Sequence, residues 1–160
     1  MKRFAGWLVL ACVVIGLDQW SKLAILARFA EYESRPVTDF FNLVLVYNPG
    51  AAFSFLADHA GWQRWFFVIL AIVICGWLLS MIWQHRREVL QPAAFALVVG
   101  GALGNVIDRL VYGRVVDFLD FHLGLQHWPA FNLADSAICL GVTLMIVAQL
   151  RESRRARSLS

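Results

Sequence analysis

The residues that can do chemistry in this 160-residue sequence are carboxylates, amides and a few bases set among apolar runs. Asp18 and Lys22 are four apart, so on a helix they share a face and can pair. Gly101, Asn105 and Asp108 share another face, with Arg109 beside it. Asp117 stands in Arg-Val-Val-Asp-Phe, and Asn132 and Asp135 are spaced so that both can point one way. Two carboxylates that share one proton form a complete hydrolytic pair, in which one activates water and the other polarises a carbonyl. Low dielectric and like charge both raise one of the two pKa values, so such a pair stays singly protonated near neutral pH. Other hydrolytic sets fit poorly. Ser21 and Lys22 are adjacent and point apart on a helix, Ser54 would have to meet Lys22 across the fold, and no Ser/His/Asp set suggests itself. There is no HExxH, and neither the spacing nor the neighbours of His122 and His127 suggest a metal site, so they read as surface or interfacial histidines and no metal or cofactor is expected.

A plainer reading stands beside the catalytic one. Asp18–Lys22 and Asp108–Arg109 are then neutralised pairs that hold helices together, and for Asp18, Lys22 and Asp108 this is the preferred reading. It is weaker for Asp135, which has no basic residue near it in sequence. Arg114 is a possible partner for Asp117, but that pairing would not explain why Asp117 lies beside a membrane span.

The elements that must position these groups are membrane helices. Hydrophobic residues make up 60% of the chain, above the share usual in a soluble domain, and they come in long uncharged runs. A bilayer core needs about 20 mostly apolar residues per helix. Residues 4–23, 65–83, 92–111 and 131–150 meet this, leaving connections at about 24–64 and 112–130 within one membrane domain spanning 1–160. Lys2, Arg3, Arg86, Arg87 and Arg151 flank one side, which by the bias of basic residues is cytoplasmic, with both termini inside. The net charge of +3 therefore reflects helix ends and implies no nucleic-acid partner. With a rise of 1.5 Å per residue, Asp18, Asn105 and Asp135 lie roughly 21, 20 and 22 Å from the inner ends of their spans. Three helices thus bring polar groups to one level near the outer surface, where intramembrane ionisable residues are functional candidates. Gly100 and Gly104 form a small-xxx-small pair that lets a neighbouring helix come close. Cys12, Cys75 and Cys139 sit in apolar runs and read as buried, inert thiols. The start of the chain also looks like a cleavable lipoprotein signal ending at Cys12, but the apolar pattern does not stop there.

Between the first two spans, Phe41–Tyr47 reads as a strand. Asn48-Pro49-Gly50 is a turn signal with Pro and Gly at the central places of a type II turn, and Ala51–Phe55 is a candidate returning strand. The fold class is therefore an all-α membrane protein of four transmembrane helices with a small extracytoplasmic β-hairpin or sheet. That element either rests on the membrane or lines a groove for an extended peptide.

Five segments carry a family resemblance. Asp18-Gln-Trp-Ser-Lys22, Asn48-Pro-Gly-Ala-Ala-Phe-Ser54, Gly100-Gly-Ala-Leu-Gly-Asn-Val-Ile-Asp-Arg109, Val115-Val-Asp-Phe118 and Phe131-Asn-Leu-Ala-Asp135 resemble, in order and in spacing, the lipoprotein signal peptidase (signal peptidase II) family. The resemblance implies an aspartic endopeptidase of the bacterial inner membrane whose dyad, facing the periplasmic side, falls on Asp117 and Asp135. Its supporting positions fall on Asp18, Lys22, Asn48, Gly50, Asn105, Arg109 and Asn132. The implied substrate is a prolipoprotein whose cysteine already carries diacylglycerol, cut just before that cysteine. Membrane lipid is the other expected partner, and the enzyme is expected to act as a monomer. Two rival classes are a proton- or ion-coupled transporter and a membrane chaperone. Against the transporter, the charges cluster at one face and form no path across.

Overall fold

The computed structural model describes residues 1–50 and 61–157. Its long apolar runs are helical because hydrocarbon offers no partner for backbone N–H and C=O groups, so each run must satisfy its own. The helices are α1 (Lys2–Leu26), α2 (Trp62–Gln84), α3 (Leu90–Tyr112) and α4 (Leu133–Arg157). All four contain windows long and apolar enough to cross a bilayer, the last over Leu133–Ser153. The expected spans hold to within a few residues. The fourth starts later than expected because Phe131 is held in a β-bridge to Leu119.

Helix α3 is the centre of the bundle. It buries 61% of its spanning window, against 22% or less in each of the others. Its glycines are what let the neighbours in. A Cβ on Gly100 would lie 2.8 Å from the Ala11 carbonyl of α1, and one on Gly104 would lie 2.6 Å from the Asp18 carboxylate. A Cβ on Gly101 would collide with the Ala134 carbonyl of α4. The expected close approach at Gly100 and Gly104 is thus made by α1, while Gly101 admits α4. The core at the inner end gathers Leu78 and Ile82 of α2 against Phe95, Ala96 and Val99 of α3. Val9, Val13, Ile69, Val73, Leu140 and Ile146 stay exposed on the outer faces, as lipid contact requires. Cys75 is buried, but Cys12 and Cys139 are exposed. This corrects the expectation of three buried thiols: an apolar run in a membrane helix presents part of its surface to lipid.

Four antiparallel strands form one sheet in the order β1 (Ser34–Thr38), β2 (Phe41–Asn48), β3 (Val115–Leu123) and β4 (Gln126–His127). The expected strand at 41–47 is β2, and the sheet follows α1 as expected. The proposed returning strand at 51–55 lies outside the described residues. The hairpin that is seen forms on the other side, between β1 and β2, and β2 also pairs with β3 from the second outer connection. The β2–β3 register runs Asn48↔Val115, Tyr47↔Val116 and Val46↔Asp117, then shifts so that Leu43 faces Leu119. This irregularity puts an extra residue in β2 beside Asp117, and bulges of this kind re-aim neighbouring side chains. Helix α3 hands over to β3 through Gly113, whose φ of 76° is left-handed and whose N–H donates to the Arg109 carbonyl. That sharp turn keeps Asp117 close to Asp108 and Arg109.

Candidate active site

Helix α4 begins with a capping arrangement. The Asn132 Oδ1 accepts the Asp135 N–H at 2.9 Å, as an N-cap residue does for the third helical position. The Ala134 N–H is capped from another helix, by Asp18 Oδ1 at 2.9 Å. Two otherwise open donors of α4 are thereby satisfied, and Asp135 is set in its first turn. Its carboxylate does not reach back along its own helix. Oδ1 instead accepts from Asn105 Nδ2 of α3 at 2.8 Å.

Behind these groups lies a buried ion cluster. Lys22 Nζ reaches Asp18 Oδ2 at 2.7 Å, Asp108 Oδ2 at 2.9 Å and Asn105 Oδ1 at 2.9 Å. All three ammonium protons are used. Gln19 Nε2 donates to Asp108 Oδ1 at 2.8 Å, and Asp108 Oδ2 accepts the Val116 N–H at 3.0 Å. Charges so completely hydrogen-bonded are tolerated in a dry interior, whereas one left without its partner is costly. The cluster joins α1, α3 and the start of β3. The expected Asp108–Arg109 pair does not form. Neighbours on a helix point apart, so Asp108 turns to Lys22 while Arg109 Nη2 donates to the Gly50 carbonyl at 2.8 Å. Its guanidinium also lies over the Phe67 ring.

Asp117 is 2% exposed. Asn132 Nδ2 donates to its Oδ1 at 2.6 Å, and Asn48 also hydrogen-bonds its carboxyl. Asn48 Oδ1 in turn accepts the Gly50 N–H at 3.0 Å, so a side chain closes the bend at Asn48-Pro49-Gly50. Burial, reinforced by the charge of Asp135, pushes the Asp117 carboxyl up to about 7, while the two amides and Lys22 pull the other way. Arg114 is not its partner. It pairs with Glu31 and stacks on Tyr47.

One amide, Asn132, therefore touches both acids, through its Nδ2 to Asp117 and its Oδ1 to the Asp135 N–H. All nine expected site residues, Asp18, Lys22, Asn48, Gly50, Asn105, Arg109, Asp117, Asn132 and Asp135, belong to this connected set. Five of them, Asn48, Gly50, Asn105, Arg109 and Asp135, line a cavity of about 450 Å³ whose apolar lining includes Trp128, Phe131, Ile138 and Cys139. Asp117 is tied to this lining through Asn48 and Asn132. Arrangements of this type suit attack of water on an amide carbonyl held between two acids.

A sequence model of the family described as Signal peptidase (SPase) II matches residues 10–151. The chain belongs to the signal peptidase II family. Among its relatives, the lipoprotein signal peptidase of Azoarcus sp. (strain BH72) is 66% identical over 92% of this chain and 84% of its own length. That of Ralstonia nicotianae is 58% identical over 93% and 86%. The structure resembles a solved bacterial membrane enzyme with a TM-score of 0.84 and 34% identity, covering 93% of this chain and 90% of the other. A second such enzyme gives 0.81 and 32% over 91% and 93%. This member of the signal peptidase II family is thus a multi-pass bacterial membrane peptidase.

Two parts of the site escaped sequence reasoning. Gln19 was readable, since a polar amide inside an apolar span has to find a partner. The junction of Asp108 with the Val116 N–H was not, because it is a side-chain bond to a backbone group with no mark of its own in the sequence.

Proposed function

We propose that Asp117 and Asp135 are the catalytic dyad with which this peptidase removes signal peptides from diacylglyceryl-modified prolipoproteins, cutting just before the lipidated cysteine. The observation that carries this reading is a buried carboxyl, Asp117, joined through Asn132 to a second carboxyl that lines an amphipathic cavity. Asp135 stands at the positive end of α4, which favours a negative charge there. It takes a proton from water as the oxygen attacks the scissile carbonyl carbon, while Asp117 gives its proton to the carbonyl oxygen. The tetrahedral diol then collapses. The C–N bond breaks, the cysteine nitrogen leaves with a proton from Asp135, and Asp117 recovers its own as the carboxyl product forms.

The supporting roles follow from contacts. Asn132 and Asn105 hold the two carboxylates, and Asp18 and Lys22 hold Asn105 and the start of α4. Asn48 and Gly50 fix the bend that meets Arg109, which faces the cavity and is suited to a substrate carbonyl. The apolar wall suits acyl chains and an apolar signal helix, so lipid anchoring would orient the scissile bond. We read residues 1–160 as one membrane domain acting as a monomer, since a single copy contributes the whole site. Its termini are cytoplasmic and its cavity opens on the outer face.

The deciding experiment uses purified protein and a lipidated precursor in detergent, with no ion gradient. Asp117→Asn and Asp135→Asn are each expected to abolish cleavage while still accumulating in the membrane. Near-normal turnover by either variant would remove the dyad assignment.

A further inference from the structure

The apolar wall of the cavity, Trp128 to Phe131, follows the two-residue strand β4. Its backbone is sewn to β3 at both ends. The Trp128 N–H donates to the Phe121 carbonyl at 2.7 Å, and Phe131 exchanges bonds with Leu119 at 2.8 and 3.1 Å. A two-residue strand supplies little rigidity, so side chains must hold it. Asp120, only 6% exposed, projects from β3 and accepts His127 Nδ1 of β4 at 2.9 Å on both carboxylate oxygens. Its Oδ2 also accepts Asn42 Nδ2 of β2 at 2.8 Å. The His127 ring is stacked on His122 with centroids 4.9 Å apart. Three strands thus meet on one carboxylate beside the cavity, and the mechanism uses none of it.

We propose that the Asp120–His127 pair, keyed to β2 by Asn42, is a positioning device that sets the wall Trp128–Phe131 at the distance from α4 required by the substrate. Ser136, Ile138 and Cys139 of α4 line the same cavity. The wall supplies apolar lining to the cavity, so its displacement is expected to act first on substrate binding. The inference rests on reading the cavity as the substrate site.

The test compares His127→Ala, Asp120→Ala, their double variant and His127→Asn, whose amide can donate from nearly the position of Nδ1. KM and kcat are measured with lipidated precursor, and amide hydrogen exchange is followed at Trp128 and Phe131. Each alanine variant is expected to raise KM about tenfold with kcat little changed, the pattern of lost binding. Exchange at both amides speeds up, the double variant is no worse than either single one, and His127→Asn restores both readouts. Unchanged KM and exchange would overturn the proposal, as would additive losses, since partners in one contact are non-additive. So would a loss carried by kcat. If the parent protein cleaves no lipidated precursor, the functional reading fails, and the exchange arm still decides whether the pair holds the wall.

Discussion

Asp117 carries two consequences of opposite sign. Its carboxyl sits at about 7 instead of the ordinary 3.8, because burial penalises the charge. Below about 7 it holds the proton that the proposed mechanism needs, and above it that proton is gone. The kcat/KM profile of the free enzyme is therefore expected to fall as pH rises through about 7, read with lipidated precursor across a buffer series. Between about 4 and 7 the folded chain keeps a proton that the unfolded chain has shed, so this group costs stability increasingly as pH rises. Asp117→Asn is accordingly expected to unfold at a higher temperature than the parent at pH about 8, although inactive. Lys22 behaves differently. Lys22→Met strands Asp18 and Asp108, both 0% exposed, and is expected to lose about 3–5 kcal/mol, seen as a lower unfolding temperature in detergent. Residue identities were legible because charge within an apolar run is conspicuous. Their partners were less so: Asp108 and Arg109 adjoin in sequence and serve different neighbours, and Arg114 is bound to Glu31, which is 83 positions away.

At the scale of elements, the glycine faces of α3 decide where the acids stand. A side chain on Gly101 collides with the Ala134 carbonyl, one residue before Asp135. Gly101→Val is expected to push α4 outward and cut kcat at least about tenfold, since a displacement of about 1 Å at a reacting group is that expensive. Gly76→Val is the control, because nothing lies within 4 Å of its added Cβ. Full activity in the Gly101 variant would mean that α4 does not need this contact. The helices could be read from sequence because the bilayer imposes length and composition on each run separately. Strand β2 was readable for its own β-branched and aromatic content. Strand β3 falls within the stretch 112–130 that reads as a connection, although Val115–Leu123 is rich in residues suited to strands. What makes it a strand is pairing with β2, some seventy positions earlier, and no local pattern announces that partner.

For the molecule as a whole, a group of basic residues assembles at one end. Lys2, Arg3, Arg86 and Arg87 border a common hollow, and Arg3 donates to the Arg87 carbonyl at 2.7 Å. By the bias of basic residues that end is expected to face the cytoplasm. A reporter fused after Leu150 is expected to behave as cytoplasmic, and one inserted at Gly124, in the β3–β4 turn, as exported. An exported C-terminal reporter would reverse the orientation. The family was legible from motifs in order, and the four spans from apolar runs. The convergence of nine residues, seven from five elements and two from connections, was legible only through that resemblance, since depth along a helix gives a level and not a direction around its axis.

The bond from Asp18 to the Ala134 N–H joins the first helix to the start of the last. A ribosome releases α1 more than a hundred residues before α4 exists. During that interval one oxygen of the Asp18 carboxylate lacks the helix it will cap. A polypeptide stopped before Leu133 leaves Asp18 Oδ1 without the Ala134 N–H, and the same contact that supplies that donor sets the neighbouring Asp135 in place.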